Sequence, residues 1–291
     1  MPNQKKAYAY GLVSVLLWST VATAFKLALG HLAPVQLLLY ASITSTLVLS
    51  LVLAVQGRLR LIFSFTPRQY LLSAGFGFLN PFLYYLILFK AYDLLPAQEA
   101  LPLNYTWAVA LALLSIPLLG QKMRLADLAA TFICYAGVVV ISTHGDLGGL
   151  HFADPFGVTL ALVSTIIWAL YWIFNTKDTR DPVAGLLLNF LFGLPWIIVW
   201  IFCFSSFSLP SMAGLAGAVY VGVFEMGITF VAWLTALKNS DNASKVGNLI
   251  FISPFLSLVF ISLFVGETIL PSTFAGLGLI MLGLAVQKLK R

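Results

Sequence analysis

Residues 249–265 read LIFISPFLSLVFISLFV and residues 47–55 read LVLSLVLAV, with apolar side chains at consecutive positions rather than at every second one. A barrel strand with one face in lipid and one in a lumen alternates, so these runs read as helices. Working outward, comparable runs fall at 7–29, 34–56, 69–91, 97–119 and 125–143, then at 156–174, 183–205, 212–236, 246–265 and 270–287. Each is close to the ~20 residues that cross ~30 Å of hydrocarbon at ~1.5 Å per residue. The pattern predicts an all-α integral membrane protein with ten transmembrane helices.

The composition demands the same environment. Of 291 residues 60% are hydrophobic and 9% charged, and the mean hydropathy is +0.98. Twenty-six formally charged side chains cannot clothe the surface of a soluble protein of this length. No connection between the runs exceeds the 12 residues of 144–155, which leaves no room for a soluble domain with its own core. Lys5 and Lys6 precede the first run, and Ala22-Thr23-Ala24 resembles a cleavage site, but the run continues to Leu29 and nine more follow. It is therefore read as a retained helix and not a signal peptide. The net charge of +6 comes from short clusters between spans and includes no long basic arm, so nucleic acid is not an expected partner. Cys134 and Cys203 each lie inside an apolar run without paired spacing, which indicates neither a disulfide framework nor a metal motif. No cofactor is expected.

Basic residues set the orientation. With the amino terminus in the cytoplasm, cytoplasmic segments carry Lys5, Lys6, Arg58, Arg60, Arg68, Lys122, Arg124, Lys177, Arg180, Lys238, Lys245, Lys288, Lys290 and Arg291. Those are 14 of the 16 Lys and Arg residues; the other two, Lys26 and Lys90, lie within or at the end of a span. Both termini are expected in the cytoplasm, because positive side chains near span ends are retained there. One missed or extra span would scramble this partition in every later loop.

The connection 144–155 divides the spans five and five, giving halves at 1–145 and 146–291. At a constant offset of 146, Gly120-Gln121 falls on Gly266-Glu267 and Gly137 on Gly283, while Trp18 and Trp168 occupy comparable places in the first helix of each half. Halves with an odd number of spans must lie upside down relative to each other. The expectation is two inverted five-helix repeats, the architecture of alternating access around a central site.

The close of each half, LLGQKMRLADLAATFICYAGVVVIS at 118–142 and FVGETILPSTFAGLGLIMLGLAVQK at 264–288, resembles the repeat unit of the EamA family of the drug/metabolite transporter superfamily. Family units carry a Pro in the penultimate helix, an apolar run, Gly-Glu and a Gly-rich final helix. Here these are Pro254, Gly266-Glu267 and Gly276, Gly278 and Gly283. The first half departs, with Gln121 in place of the Glu and Ala108 opposite Pro254. The resemblance implies a ten-helix exporter of metabolites or amino acids, often proton-coupled, similar in size and topology to aromatic amino acid or methyl viologen type exporters. It sets a transport class without choosing a substrate.

Candidate chemistry lies where polar side chains enter the hydrocarbon. Glu225, in GVFEMGITFVAW, is the acidic residue placed most deeply. A carboxylate there costs several kcal/mol, by rough insertion estimates, unless it faces a wet cavity, accepts a proton or has a partner. It reads as a proton-coupling or substrate-binding group; the bland alternative is a carboxyl that fastens helices. Lys26 either snorkels to the interface or binds a substrate carboxylate. Glu99 is a second acidic candidate, near a span end, while Lys90 and Asp93 have the spacing of a helix-surface pair. Asn80 beside Pro81, and Asn104 after Pro102, interrupt their helices, and freed backbone groups there suit a polar cavity as well as they suit interhelical bonding. Trp18, Tyr84 and Trp168 offer ring faces for an aromatic or cationic solute, against packing and the interfacial belt. Ser272, Gly276 and Gly283 share a helix face for close packing, either within the bundle or in a homodimer. Glu267 is expected to cap the last helix.

These groups suit a secondary active exporter of small solutes, amino acids and aromatic ones among them, working by alternating access and proton antiport. Its expected partners are a small-molecule substrate, protons and the lipid bilayer, as a monomer or homodimer in a bacterial inner membrane. No GxxxxGK[ST] run marks an ATP site. The alternatives are an integral-membrane enzyme acting on lipid, for which His31, His144 and His151 form no specific metal motif, and a passive channel.

Overall fold

The computed structural model describes residues 3–120, 125–148, 154–175, 178–206, 208–239 and 248–288. Gln121, Lys122, Arg124, His151, Lys177, Lys245, Lys290 and Arg291 lie outside them. The described residues are helical, with no strand among them. Among the described residues, eight helices are long and apolar enough to cross a membrane: α1 (Gln4–Leu29), α2 (Pro34–Val55), α3 (Pro67–Leu94), α4 (Ala97–Leu119), α5 (Leu125–Ser142), α6 (Pro155–Asn175), α7 (Pro182–Phe204) and α8 (Met212–Ala236). Two shorter apolar helices follow, α9 (Ser253–Val265) and α10 (Pro271–Lys288).

The helix starts follow from the sequence. Proline opens α2, α3, α6, α7 and α10, where its missing N–H costs nothing and its fixed φ suits the first turn. The same constraint shortens α9. The apolar run begins at 246, but Pro254 belongs in a first turn, and the chain before it is the 3-10 segment Asn248–Ile252. Side chains cap several ends: Asn3 accepts from Lys6 N, Thr66 from Gln69 N, Asp181 from Val183 and Ala184 N, and Ser211 from Gly214 N.

The helices group into two compact units, Met1–Phe89 with Thr179–Val265, and Lys90–Asp178 with Gly266–Arg291. Each unit draws on both halves of the chain. In the first, α1 packs along α8 and α9, α2 lies on α7 and on the middle of α8, and α3 lies on α7. Small residues allow the closest approaches. A Cβ on Gly77 of α3 would lie 2.7 Å from Gly193 N of α7 and closer still to Asn189 O, while one on Gly222 of α8 would lie 2.5 Å from Ala41 O of α2. Gly222 stands 145 residues after Gly77, and Asn189 stands 148 after Ala41. Gly193 meets Pro81, and at the equivalent position Ser45 Oγ donates to Met226 O at 2.8 Å.

In the second unit the most extensive contact is α5 against α10. A Cβ on Gly137 would lie 2.5 Å from Gly276 O and 2.9 Å from Ile280 Cγ1; one on Gly283 would lie 2.9 Å from Ala130 O and 2.5 Å from Cys134 Sγ. The offset of 146 turns Ala130, Cys134 and Gly137 into Gly276, Ile280 and Gly283, so each contact maps onto the other with its partners exchanged. The small-residue face of α10 is thus occupied by α5, inside the unit.

Candidate functional site

In the first unit two helix interruptions deliver side chains to one place. Helix α3 breaks at Phe78–Leu83, where Asn80 leaves helical geometry (φ −147°, ψ 116°) before Pro81, and helical hydrogen bonding resumes at Tyr84. Helix α8 contains a π-helical turn at Val221–Glu225, followed by Met226 and Gly227. Thr229 Oγ1 donates to the freed Phe224 carbonyl. A π turn displaces the register of a helix and often marks a functional position. Glu225 is the last residue of that turn, and Tyr85 stands just beyond the break in α3.

The two meet: Tyr85 Oη donates to Glu225 Oε1 at 3.0 Å, and the Trp18 indole of α1 lies beside the same carboxylate. Tyr85 is fully buried, whereas Glu225 and Trp18 are half-buried. Aromatic rings surround them. Trp18 packs on Phe230 (centroids 5.9 Å apart, edge-on) and Trp233 (5.4 Å); Tyr85 packs on Tyr84 (4.8 Å) and Phe89 (5.3 Å), and Phe89 on Phe25 (4.8 Å). The result is one carboxylate, one tyrosine hydroxyl that donates to it, and ring faces on helices α1, α3 and α8. Such a group can exchange a proton or hold a cation, and the rings suit flat or cationic solutes.

The structure sorts the sequence candidates between the units. Trp18, Lys26, Asn80, Tyr84 and Glu225 fall in the first; Glu99, Asn104 and Trp168 fall in the second. Lys26 is half-buried in the last turn of α1, eight residues beyond Trp18 and so about 12 Å further along the axis. Asn80 is 1% exposed, and its Oδ1 has no hydrogen-bond partner. In the second unit Asn104 Nδ2 donates to Ser164 Oγ at 3.1 Å and so ties α4 to α6. Trp168 stacks on Tyr171 (5.8 Å, 27°) and meets Trp172 edge-on, all along α6. Glu99 is 1% exposed and pairs with His144, Oε1 to Nε2 at 2.6 Å. Lys90 and Asp93 form the expected surface pair at 2.6 Å.

Two further arrangements escaped sequence reading. Glu267 does cap a helix, but the helix is α4: its carboxylate accepts from Ala97 N (2.7 Å) and Gln98 N (3.0 Å). Gln98 returns the clasp, bonding Thr268 O, Leu270 N and Thr273 Oγ1. Gly266, at φ +79°, turns the chain to allow this. In the first unit Arg180, 7% exposed, donates to Ser73 Oγ and Gln69 O and lies over the Phe65 ring, while Arg58 pairs with Asp181. Basic residues that read as orientation markers are therefore also structural.

The model of the EamA-like transporter family matches residues 5–143 and again 155–287. The uncharacterized transporter YvbV of Bacillus subtilis is 28% identical over 282 residues, covering 95% of this chain and 89% of its own. The aromatic amino acid exporter YddG of Ancylobacter novellus is 28% identical over 263 residues, covering 88% and 87%. A solved crystal structure shares the fold over 99% of this chain and 98% of its own, at TM-score 0.69 and 23% identity.

Proposed function

The chain belongs to the EamA-like transporter family, and from that premise we propose that it is a non-enzymatic, secondary active exporter of small amphipathic solutes, aromatic amino acids foremost, coupled to inward proton movement. The observation that carries the reading is Glu225, a carboxyl in the middle of an apolar helix, presented by a π turn and bonded by Tyr85 among aromatic rings that include Trp18. A group so placed can release its bonds to a proton and retake them when the proton leaves. The rings supply surface for an aromatic side chain, and Lys26 supplies a cation for a carboxylate.

The working architecture is ten membrane helices as two inverted five-helix repeats, 1–145 and 146–291, with both termini in the cytoplasm and α9 and α10 crossing as the short members. Support comes from contacts that recur with partners exchanged: Gly77 on Asn189 against Gly222 on Ala41, and Gly137 on Gly276 against Gly283 on Ala130. Two copies related by an axis in the membrane plane produce such exchange.

The test is export by purified protein in liposomes under an imposed proton gradient, with phenylalanine, tryptophan, leucine and an organic cation as substrates. Glu225→Gln is expected to abolish acceleration by the gradient while leaving substrate binding within a few-fold. Gradient-driven export that continues unchanged in the inserted variant removes Glu225 from coupling.

A further inference from the structure

We propose that Glu99 and His144 form a second proton-exchange pair, in which the imidazole takes protons from solvent and the buried carboxyl stores them inside the second unit. The side chains differ sharply in exposure, 43% for His144 and 1% for Glu99, yet Nε2 and Oε1 lie 2.6 Å apart. The imidazole spans the boundary between water and protein. Glu99 Oε2 is buried and has no hydrogen-bond partner. A structural ion pair would bring donors to both oxygens, because a buried carboxylate with an unmet lone pair is costly.

The surroundings leave the carboxylate to be neutralised by a proton, and a neutral carboxyl bears an unmet Oε2 at less cost than a charged one. Two other carboxylates act on Glu99, Glu267 ahead of α10 and Asp154 ahead of α6. Each is already held by backbone N–H groups, Glu267 at Ala97 and Gln98 and Asp154 at Gly157. His144, in left-handed geometry (φ 53°) just past the end of α5, is the side chain paired with Glu99. Histidine changes charge between pH 5 and 8, which fits it to pass protons rather than hold a fixed charge.

The step balances as follows. With His144 neutral and its proton on Nε2, Nδ1 takes a proton from hydronium, releasing water and giving imidazolium. The Nε2–H bond then breaks as an O–H bond forms at Glu99 Oε1. The imidazole is left neutral with its proton on Nδ1, and the carboxylate has become a carboxylic acid. In the proposed topology His144 faces the outer solution, so the pair deepens the proton-coupled reading and rests on it for its direction.

Infrared spectroscopy after a pH jump, on the full chain in liposomes without substrate, tests the pair. A carboxylic acid C=O band that grows on acidification should vanish in Glu99→Gln. Where that variant fails to insert, Glu99→Asp should keep a band and change its frequency. In His144→Ala the band should form at least tenfold more slowly, and free imidazole in the buffer should restore the rate. A band unaltered by either Glu99 variant, an unchanged rate in His144→Ala, or a slow rate that imidazole leaves slow each overturns the proposal. Because no substrate is present, failure here leaves the exporter reading standing; absent gradient-driven export with the band intact counts against that reading alone.

Discussion

Glu225 sits in an apolar helix with Tyr85 donating to it, and that donor's contribution can be measured. Tyr85→Phe keeps the buried ring and removes one bond to a charged acceptor, worth about 1.5–3 kcal/mol. Gradient-driven export should fall by about tenfold or more on that scale, and the unfolding midpoint in detergent should drop by a few degrees; equal export rates would show that the bond is idle in the cycle. Lys26→Met should weaken binding of carboxylate-bearing solutes and spare their amine counterparts, read by equilibrium binding of phenylalanine against phenethylamine. Gly266 carries a different burden, since its φ of +79° costs a residue with a Cβ about 1–2 kcal/mol. Gly266→Ala should lower the unfolding midpoint by a few degrees and loosen the Glu267 clasp on α4. The sequence shows Gly-Glu as a turn and a cap but hides which helix is capped. Ala97 lies 170 residues from Glu267, and no local spacing records a partner that distant.

At the scale of elements, α10 shows what periodicity reveals and what it withholds. Ser272, Gly276 and Gly283 share a face, as their spacing says, but only the folded unit shows that α5 fills it. Gly283→Leu therefore forces a side chain into Cys134 and Ala130 O and should destabilise by about 1–3 kcal/mol or more as overpacking. Gly278, on the same helix, has nothing within 4 Å of where its Cβ would stand. Gly278→Leu should leave the unfolding midpoint in detergent nearly unchanged, and equal losses in the two variants would contradict the close packing of α5 on α10. The helix interruptions divide in the same way. Pro81 announces the break in α3, because proline lacks the N–H that a helix interior needs. The π turn of Val221–Glu225 contains no proline, so the sequence located Glu225 in the apolar run without showing that the helix rearranges to present it.

For the molecule as a whole, the apolar runs and the distribution of charge made ten helical segments legible, to within a few residues at all ends but the start of α9. Burial in lipid selects long apolar helices directly, whereas the grouping of those helices is set by contacts between distant small residues. Each compact unit mixes the two halves of the chain, and no run of sequence carries that division. The exchanged contacts and the basic loops meet in one claim about sidedness. If the repeats are inverted, the α2–α3 connection, with Arg58, Arg60 and Arg68, and the segment after α5 lie on opposite sides of the membrane. Ser64 and Leu147 mark these places, and both are exposed. Ser64→Cys and Leu147→Cys, each with Cys134→Ala and Cys203→Ser, are to be treated in intact cells with a membrane-impermeant maleimide. Leu147→Cys should label from outside, and Ser64→Cys only after permeabilisation. Labelling of both from one side would break the inverted arrangement, because an odd number of crossings must separate them; the reversed pattern would keep the inversion and overturn the cytoplasmic termini.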